Sequence, residues 1–508
     1  MRNSGISIGL LALTLAGCAV GPNYRRPTAP VPPAYKEADG WKPATPSDAL
    51  ERGTWWEVFN DPILNELERE AAQNNQTIAQ AAANYEQARQ LARADRASLF
   101  PSLSVSGSTQ RSKSGGSRSV VTPSAGSTSG SDTTSTGSTG TTTGSGSTRA
   151  SSVTSGSSGG ATTNYSASAG LTWAPDFWGR VRRLTESDIA AAETSAADLA
   201  NARLSIQATL AQTYFQLRVA DEHTRLRQSA VDAYARTLQI AQNKYGVGIV
   251  ARSDVISAQA QLDSARAQLI DAGIQRAQLE HAIAVLIGKA PGQFSLPSQP
   301  TLTTAFPAIP ASMPSELLER RPDVAAEERN VAAANARIGV QVAGYFPQVT
   351  LSADEGYAGS PIGEIFRMPN RFWSLGANLS ETILDFGRRR AQVAQARASY
   401  DAAVAAYRAA VLRAFQQVED NLVALRLLEQ EAQVQDSAAT EAAEAARIAM
   451  NEYRAGTVDF ITVANAQVVE INSRQTALNV LQSRLNTSIA LIEALGGGWR
   501  TSDLPKSP

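Results

Sequence analysis

The residue best suited to carry chemistry is Cys18, the only cysteine in the 508-residue chain. It follows a positive charge at Arg2, an apolar run over residues 6–16 and a small glycine. The run is too short to cross a bilayer as a helix, and small residues before a cysteine suit cleavage and transfer of a lipid to the thiol. We predict a lipoprotein signal peptide over residues 1–17 and a lipidated Cys18, the alternative being an ordinary signal peptide with an incidental cysteine. Ala19, which is not acidic, favours the outer membrane.

No other residue pattern indicates catalysis. His223 and His281 have no partner at metal-ligand spacing, so we interpret both as surface or hydrogen-bonded histidines. Gly246-Val247-Gly248 follows a predicted helix and lacks the third glycine of a dinucleotide site. We therefore expect no enzyme, no metal and no cofactor. A formal net charge of −1 gives no broad basic field for nucleic acid.

Two long helices are the elements that organise the chain. The runs 179–245 and 387–453 contain no proline, and alanine, glutamine, arginine and glutamate dominate both. In the second run the apolar positions Val404, Tyr407 and Val411 recur at the spacing of a coiled-coil seam. At about 1.5 Å per residue, each helix would be roughly 100 Å long. Such rods predict a protein that spans a distance.

The two runs belong to an internal duplication. Phe-Pro pairs at 100–101 and 346–347 lie 246 residues apart, whereas Asp-Phe pairs at 176–177 and 385–386 lie 209 apart. The offset is 208 between Tyr245 and Tyr453 at the helix ends. The first copy therefore carries 37 extra residues, the difference between 246 and 209, and they fall in a stretch of serine, glycine and threonine. That composition predicts a disordered loop.

Each repeat reads as helix, strand, strand, long helix and returning helix. The predicted divisions are a lipidated, proline-rich extended tether (18–60), repeat 1 (61–289) with strands at about 102–110 and 162–173 around the Ser/Gly/Thr loop (112–161), a connector (290–320), repeat 2 (321–496) with strands at about 347–357 and 372–383, and a C-terminal tail (497–508). In each repeat we expect two shorter helices, stacked end to end, to lie beside the long one.

The four predicted strands alternate apolar and small polar residues and have the length of a tilted membrane-spanning strand. Four strands cannot close a barrel, and an open sheet edge cannot face lipid. We therefore predict a barrel shared among chains. The alternative is a half-buried four-stranded sheet in a soluble protein.

Short motifs in a fixed order resemble one protein family. They are Cys18-Ala19-Val20-Gly21-Pro22-Asn23-Tyr24 with Pro27, Trp55-Trp56, Asp61-Pro62, the paired Phe-Pro, Asp385-Phe386-Gly387-Arg388 and Tyr453-Arg454-Ala455-Gly456. Together with the duplication, they resemble the outer-membrane-factor lipoproteins, the TolC-like exit ducts of tripartite efflux pumps, in the subgroup often called NodT. The resemblance covers nearly the whole chain except the Ser/Gly/Thr insert.

The resemblance implies a mainly α fold with a small β part. Four strands from each chain would pool into a trimeric, 12-stranded outer-membrane β-barrel that continues into a long periplasmic α-helical barrel. The implied partners are two further copies of the chain, a periplasmic adaptor protein, an inner-membrane transporter and outer membrane lipid, with no nucleic acid.

The resemblance also implies a periplasmic gate where the long helices turn back. Aligned on Gly456, the family's ring positions fall on Thr462 and Asn465, and their first-repeat counterparts are Asp254 and Ser257. Tyr453 matches the family's gate tyrosine, and Arg454 would substitute for its arginine link. Val458 stands at the family's own arginine position. We expect Tyr453 to hydrogen-bond a neighbouring hairpin. The alternative is that these residues only cap and pack the hairpins.

These features predict a passive exit duct that carries drugs or other small molecules from the periplasm to the exterior. The same duct serving heavy-metal efflux or type I protein secretion is one alternative, although no methionine or histidine cluster favours metal. A trimeric coiled-coil structural surface protein is an alternative of another class, and it predicts no pore.

Overall fold

The structure, a computed structural model, describes residues 19–30, 32, 35–36, 54–113, 161–299 and 321–497. Cys18 and most of the predicted Ser/Gly/Thr loop, the connector and the C-terminal tail lie outside these residues. The chain divides into two compact units. One contains the α-helices, and the other, the sheet unit, lies within residues 100–175 and 347–381.

The order of helices follows the predicted duplication. The α-helices of the described residues are α1 (Pro62–Asn74), α2 (Gln76–Ala97), α3 (Arg180–Gly246), α4 (Arg252–Leu286), α5 (Pro322–Ala343), α6 (Arg388–Ala455) and α7 (Phe460–Ala494). The long helices α3 and α6 contain 67 and 68 residues. Helix α5 ends at Ala343, and the amide of Phe346 turns back to the Ala343 carbonyl at 3.1 Å just before Pro347. None of the helices in the described ranges is long and apolar enough to cross a membrane.

Side-chain caps start the short helices of the first repeat. The Asp61 carboxylate accepts the amide protons of Ile63 at 2.9 Å and Leu64 at 3.2 Å, and Pro62 occupies the first helical position. Asn75 lies between α1 and α2 and caps α2, since its side-chain oxygen accepts the amide of Thr77 at 2.9 Å.

The long helices begin at matching motifs in the two repeats. Gly179 and Gly387 precede them with φ of 78° and 91°, a conformation that glycine adopts without strain. Asp176 and Asp385 accept first-turn amides, from Arg182 at 2.9 Å and from Arg389 at 3.1 Å. The duplicated Asp-Phe pairs therefore place a negative charge at the positive end of each long helix.

The shorter helices stack end to end, as predicted. The amide of the Asn75 side chain donates to the carbonyl of Leu286 at 2.8 Å, which joins the start of α2 to the end of α4. In the second repeat, the buried Arg321 donates to the carbonyl of Ala494 at 3.0 Å and joins α5 to α7 in the same way. These bonds satisfy carbonyls that a helix C-terminus leaves without partners.

The main core begins earlier than the predicted boundary at residue 60. A 3-10 turn, Trp55–Phe59, buries both tryptophans and Phe59 in a cluster with residues of α1, α3, α4 and α7. Other members of that cluster that are at most 1% exposed include Leu64, Leu210, Tyr214, Phe215, Leu217, Ile283, Ile287, Leu485 and Ile489. A second cluster joins α5 and α6 around Val331, Tyr407, Val411 and Leu422.

The N-terminal strap, residues 19–30, is extended as predicted but packs closely on the helices. The buried Arg183 of α3 donates to the carbonyl of Val20 at 3.2 Å and to the Asn23 side chain at 2.9 Å. Gly21 lies so close to Gly339 of α5 that a Cβ on Gly21 would approach the Gly339 Cα to 2.5 Å. This part of the predicted tether therefore belongs to the packed helical unit.

The sheet unit is a four-stranded antiparallel sheet in the order β1 (Ser102–Ser112), β2 (Thr162–Trp173), β3 (Gln348–Gly359) and β4 (Arg371–Ser380). The predicted ends of β1 and β3, at residues 110 and 357, are two residues too early. The predicted end of β4, at residue 383, is too late, because β4 ends at Ser380. Hydrogen-bonded pairing continues to Ser112 and Gly359, which the fading apolar pattern did not indicate.

The register puts most apolar residues on one face of the sheet, with Ala358 and Phe372 on the other. Leu103, Leu171, Ala353 and Leu375 form one row across the four strands, and Ser104, Gly170, Asp354 and Ser374 form the adjacent row on the other face. The apolar row is exposed in one chain, with Leu103 at 70% and Leu375 at 76%. The polar face is held by hydroxyl pairs such as Ser108 with Ser166 at 2.7 Å. Within the described residues, β1 and β4 each pair with one strand only.

Candidate functional site

The two long helices turn back at two tips, and a common apolar cluster joins the tips. This tip core takes residues from α3, α4, α6 and α7; its buried members are Ala230, Tyr234, Leu238, Ala241, Ala258, Leu262, Ala265, Ala449, Tyr453, Phe460 and Val463. Small alanines let the four helices approach closely, while the aromatic rings fill the remaining space. The predicted gate residues therefore lie on a packed scaffold.

Tyr453 is the most buried of the predicted gate residues, at 1% exposure. Its ring packs edge-on against Phe460 with centroids 6.4 Å apart. Burial, together with the nearby negative charge of Asp254, raises the pKa of the Tyr453 phenol. Among the described residues its hydroxyl has no hydrogen-bond partner, so the bond that we expected to a neighbouring hairpin is not made within one chain.

Lys244 of α3 contacts Tyr453 in two ways. Its ammonium nitrogen lies 4.0 Å from the centre of the Tyr453 ring, within the range of a cation–π contact. The same nitrogen donates to the backbone carbonyl of Tyr453 in the last turn of α6. A cation there also meets the negative end of the helix dipole. Sequence reasoning missed Lys244, because nothing local shows that it faces a residue about two hundred positions away.

The four predicted ring positions lie in the first two turns of the returning helices. Thr462 is held by Asp459, whose carboxylate accepts its amide at 2.9 Å and its hydroxyl at 2.6 Å. These bonds also hold the pKa of Asp459 below its usual range. Asn465 and Ser257 are exposed, and Asp254 is half-exposed next to the Ser253 hydroxyl at 3.3 Å.

The remaining predicted residues do not converge inside one chain. Arg454 is exposed in the last turn of α6, and Val458 is half-buried beside the tip core. Asp459 is a helix cap that the sequence pattern, an aspartate just before an apolar helix, could have identified. Among these residues, the negative charge of Asp254 acts on the Tyr453 phenol.

A buried charged network fixes α3 against α4 far from the tips in sequence. Arg218, 2% exposed, stacks on the Tyr214 ring at 4.9 Å and contacts Asp221 at 3.3 Å. Asp221 in turn accepts from Arg276 of α4 at 2.8 Å. Because its charges are paired, this network reads as structural support rather than as a binding site.

A single buried acid stands out from this pattern. Glu68 of α1 is fully buried, and its carboxyl oxygens have no hydrogen-bond partner in the described part of the chain. Burial alone raises the pKa of Glu68 to about 9, so the group is neutral at ordinary pH. No group of three or more potential metal ligands occurs among the described residues.

Comparison with known proteins gives one consistent result. Residues 67–289 and 313–497 match the sequence model of a family described as outer membrane efflux protein. The chain is 28% identical to the probable efflux pump outer membrane protein TtgC of Pseudomonas putida over 98% of this chain and 96% of that protein. It is also 28% identical to the pyoverdine export outer membrane protein OpmQ of Pseudomonas aeruginosa, over 99% and 98% of the two chains.

Solved structures agree with this fold. The outer-membrane channel OprN superposes with a TM-score of 0.80 and is 27% identical, covering 95% of this chain and all (100%) of that one. The CmeC outer membrane channel of Campylobacter jejuni superposes with a TM-score of 0.82 over 96% of each chain, at 21% identity. At that lower identity, the likeness concerns the fold alone.

Proposed function

Because the chain belongs to the outer membrane efflux protein family, we propose that it is a passive outer-membrane exit duct of a tripartite efflux pump. It carries small molecules from the periplasm to the exterior and performs no catalysis. Relatives named for efflux of toluene and of antibiotics and for export of pyoverdine support a small organic cargo over metal ions or proteins.

The observation that carries the proposal is the incomplete sheet. In one chain the apolar rows are exposed on one face, the small polar rows lie on the other, and both edge strands have a free side within the described residues. An open edge cannot face lipid, because its backbone groups would have no hydrogen-bond partners. Three copies with four strands each complete a closed barrel whose serine-rich face lines the lumen.

The proposed partners follow from this role. The homotrimer sits in outer membrane lipid, where Cys18 adds a lipid anchor. A periplasmic adaptor protein and an inner-membrane transporter complete the pump, because a passive duct needs an external source of energy. The long coiled-coil helices line the periplasmic tunnel.

We place the gate at the tips, where Tyr453, Arg454, Thr462, Asn465, Asp254 and Ser257 are the candidate residues. Polar side chains that narrow a lumen restrict ions by size and by desolvation. Because Thr462 and Asn465 are neutral, Asp254 supplies the fixed charge near this ring. The packed tip core supports the proposal by holding these helix turns in place.

Planar-bilayer recording of the purified protein tests the function. We expect detergent-resistant trimers that form discrete channels, and Asp254→Ala should change their cation selectivity. Ser112→Ala, at the end of β1, is the matched control and should leave selectivity unchanged. Trimers without any conductance would instead support the structural surface protein, and monomers would contradict both.

A further inference from the structure

The polar face of the sheet carries one acid and one aromatic ring in each chain. At the alternate positions that share this face with Ser104, the described strands otherwise carry only serine, threonine, asparagine, glutamine, glycine and one alanine. The two exceptions are Asp354, which is exposed, and Phe372, which is 38% exposed. A negative charge and an aromatic ring therefore stand out from a surface of small, neutral groups.

Asp354 and Phe372 are diagonal neighbours on that face. The register pairs Asp354 with Ser374 and Gly356 with Phe372, so the acid and the ring lie on adjacent strands one row apart. Such neighbours in an antiparallel sheet are about 7–8 Å apart, a separation that one ligand with a charged centre and an apolar group can bridge. The carboxylate lies over Gly170, where a Cβ would approach its Oδ1 to 2.7 Å, and accepts from the Ser374 hydroxyl at 3.5 Å.

The Asp354 carboxylate has no cationic partner among the described residues, unlike the acid that follows it in the chain. Glu355 lies on the apolar face, in the row of Trp373, and Arg371 donates to it at 2.7 Å. A charge that faces lipid needs such a partner, because an unpaired ion in hydrocarbon is costly, whereas a charge that faces water does not. The Asp354 carboxylate is therefore available to a cation that approaches from the aqueous side.

We propose that Asp354 and Phe372 form a subsite for organic cations, and that three copies of this subsite make the duct favour positively charged, partly apolar cargo. The inference rests on the proposed trimeric duct, in which this face of the sheet lines the lumen. The carboxylate attracts the charged centre of the cargo. The ring face, which is itself negative, binds the cation and packs against its apolar groups.

Threefold symmetry places the three Asp354 carboxylates at one level of the lumen, whatever the register between copies. Twelve strands about 4.8 Å apart and tilted by about 40° close on a circle of roughly 12 Å radius, which leaves the carboxylates roughly 9 Å from the axis. At about 0.1 M salt the screening length is about 10 Å, so the three charges should enrich monovalent cations on the axis about 2.5-fold and deplete anions equally. The ring therefore contributes a factor of about six to the cation-to-anion permeability ratio.

Reversal potentials of purified trimers in planar bilayers test the charge. Asp354→Asn should lower the potassium-to-chloride permeability ratio about sixfold in gradients around 0.1 M KCl and leave it unchanged around 1 M, where the screening length is about 3 Å. Glu355→Gln is the matched control, because it removes the same charge from the neighbouring residue on the opposite face, and it should keep the ratio of the parent. Should Asp354→Asn fail to assemble, Ser374→Asp adds a second acid to the same row and should raise the ratio; a ratio at or below that of the parent overturns the subsite.

Block of the potassium current by tetraphenylphosphonium, an aromatic cation, tests the ring. Phe372→Leu should weaken this block about two- to fivefold, the strength of one exposed cation–π contact, and leave the potassium-to-chloride ratio unchanged. Asp354→Asn should weaken the block and lower the ratio together. Block of Phe372→Leu at the concentration that blocks the parent would overturn the subsite, because the ring would then have no part in it.

The outcomes separate the subsite from the duct itself. If the parent forms no channel, the proposed function fails and the subsite fails with it. If the parent conducts while Asp354→Asn matches it in both ratio and block, only the subsite is overturned. A fall in the ratio for Glu355→Gln as large as that for Asp354→Asn would also overturn it, because the two faces of the sheet would then not differ in access to the lumen.

Discussion

Substitution of Gly21 by alanine should lift the first residues of the N-terminal strap from the helices. The new Cβ would lie 2.5 Å from the Cα of Gly339. A Cβ is fixed by the backbone that carries it and the Gly339 Cα is itself a backbone atom, so no side-chain rotation can relieve the clash. Gly21 also has a φ of +104°, a region that residues with a side chain rarely adopt. Such backbone strain costs about 1–3 kcal/mol, and forcing a methyl into a packed contact costs about 1–3 kcal/mol more.

The bonds that hold the strap set the scale against which this cost acts. The amide of Val20 donates to Trp178 at 3.1 Å, Arg183 donates to Val20 and to Asn23, and Asn335 donates to the carbonyl of Pro22 at 3.1 Å. At about 0.5–1.5 kcal/mol each, these four bonds stabilise residues 20–23 of the seated strap by about 2–6 kcal/mol. The combined cost of about 2–6 kcal/mol is equal to that, so the substitution should leave residues 20–23 largely unseated, whereas Tyr24, bonded to Glu328, and Thr28, bonded to Arg408, hold the later part of the strap.

Hydrogen exchange over residues 20–23 measures this directly. We expect exchange in Gly21→Ala to be more than tenfold faster than in the parent, since 1.4 kcal/mol corresponds to a factor of about ten. Gly273→Ala is the matched control: it lies within α4, has no neighbour within 4 Å of its new Cβ, and should leave the strap unchanged. Unchanged exchange in Gly21→Ala would refute the steric reasoning.

Three further predictions concern the anchor, the insert and the buried acid. Cys18→Ser should abolish incorporation of labelled palmitate, and label that persists would contradict lipidation, although the sheet should keep part of the protein in the membrane. Deletion of 37 residues within 114–160 should still give detergent-stable trimers, because the second repeat lacks them; normal expression without trimers would contradict this. Between pH 4.5 and about 9 the folded chain holds a proton on Glu68 that the unfolded chain releases, so stability should fall by about 1.4 kcal/mol per pH unit as pH rises. Glu68→Gln should flatten this slope in denaturant titrations, and an unchanged slope would place the proton elsewhere.

The features that the sequence predicted are local ones. Asp61-Pro62 is a short-range motif, and Asp61 caps α1 immediately before that proline. Strand alternation is equally local, which is why the apolar row containing Leu103 and Leu375 was predictable. The steady offsets between repeats extended these signals to the whole architecture.

The features that the sequence missed depend on contacts between distant segments. A proline-rich stretch is typical of a free tether, and it is contacts with distant residues, such as the packing of Gly21 on Gly339, that make it part of the helical unit. Glu68 looks like any acid on an amphipathic helix, since nothing local shows that α1 is covered on that face. Lys244 is likewise one of many surface cations until α6 is brought beside it.

The duplication explains why the fold was easier to predict than the candidate site. Two repeats that build the same architecture must agree in helix length, caps and strand alternation, and each agreement adds evidence for the fold. A gate formed by a ring of three chains instead needs repeats that differ. Two identical tips in each chain would give six equal tip-to-tip contacts and no preferred place to open. The pairs Asp254 with Thr462 and Ser257 with Asn465 are therefore informative because they differ. The two repeats share the same packing constraint at the tips. Positions that differ between them there are therefore candidate gate residues, and common motifs do not reveal them.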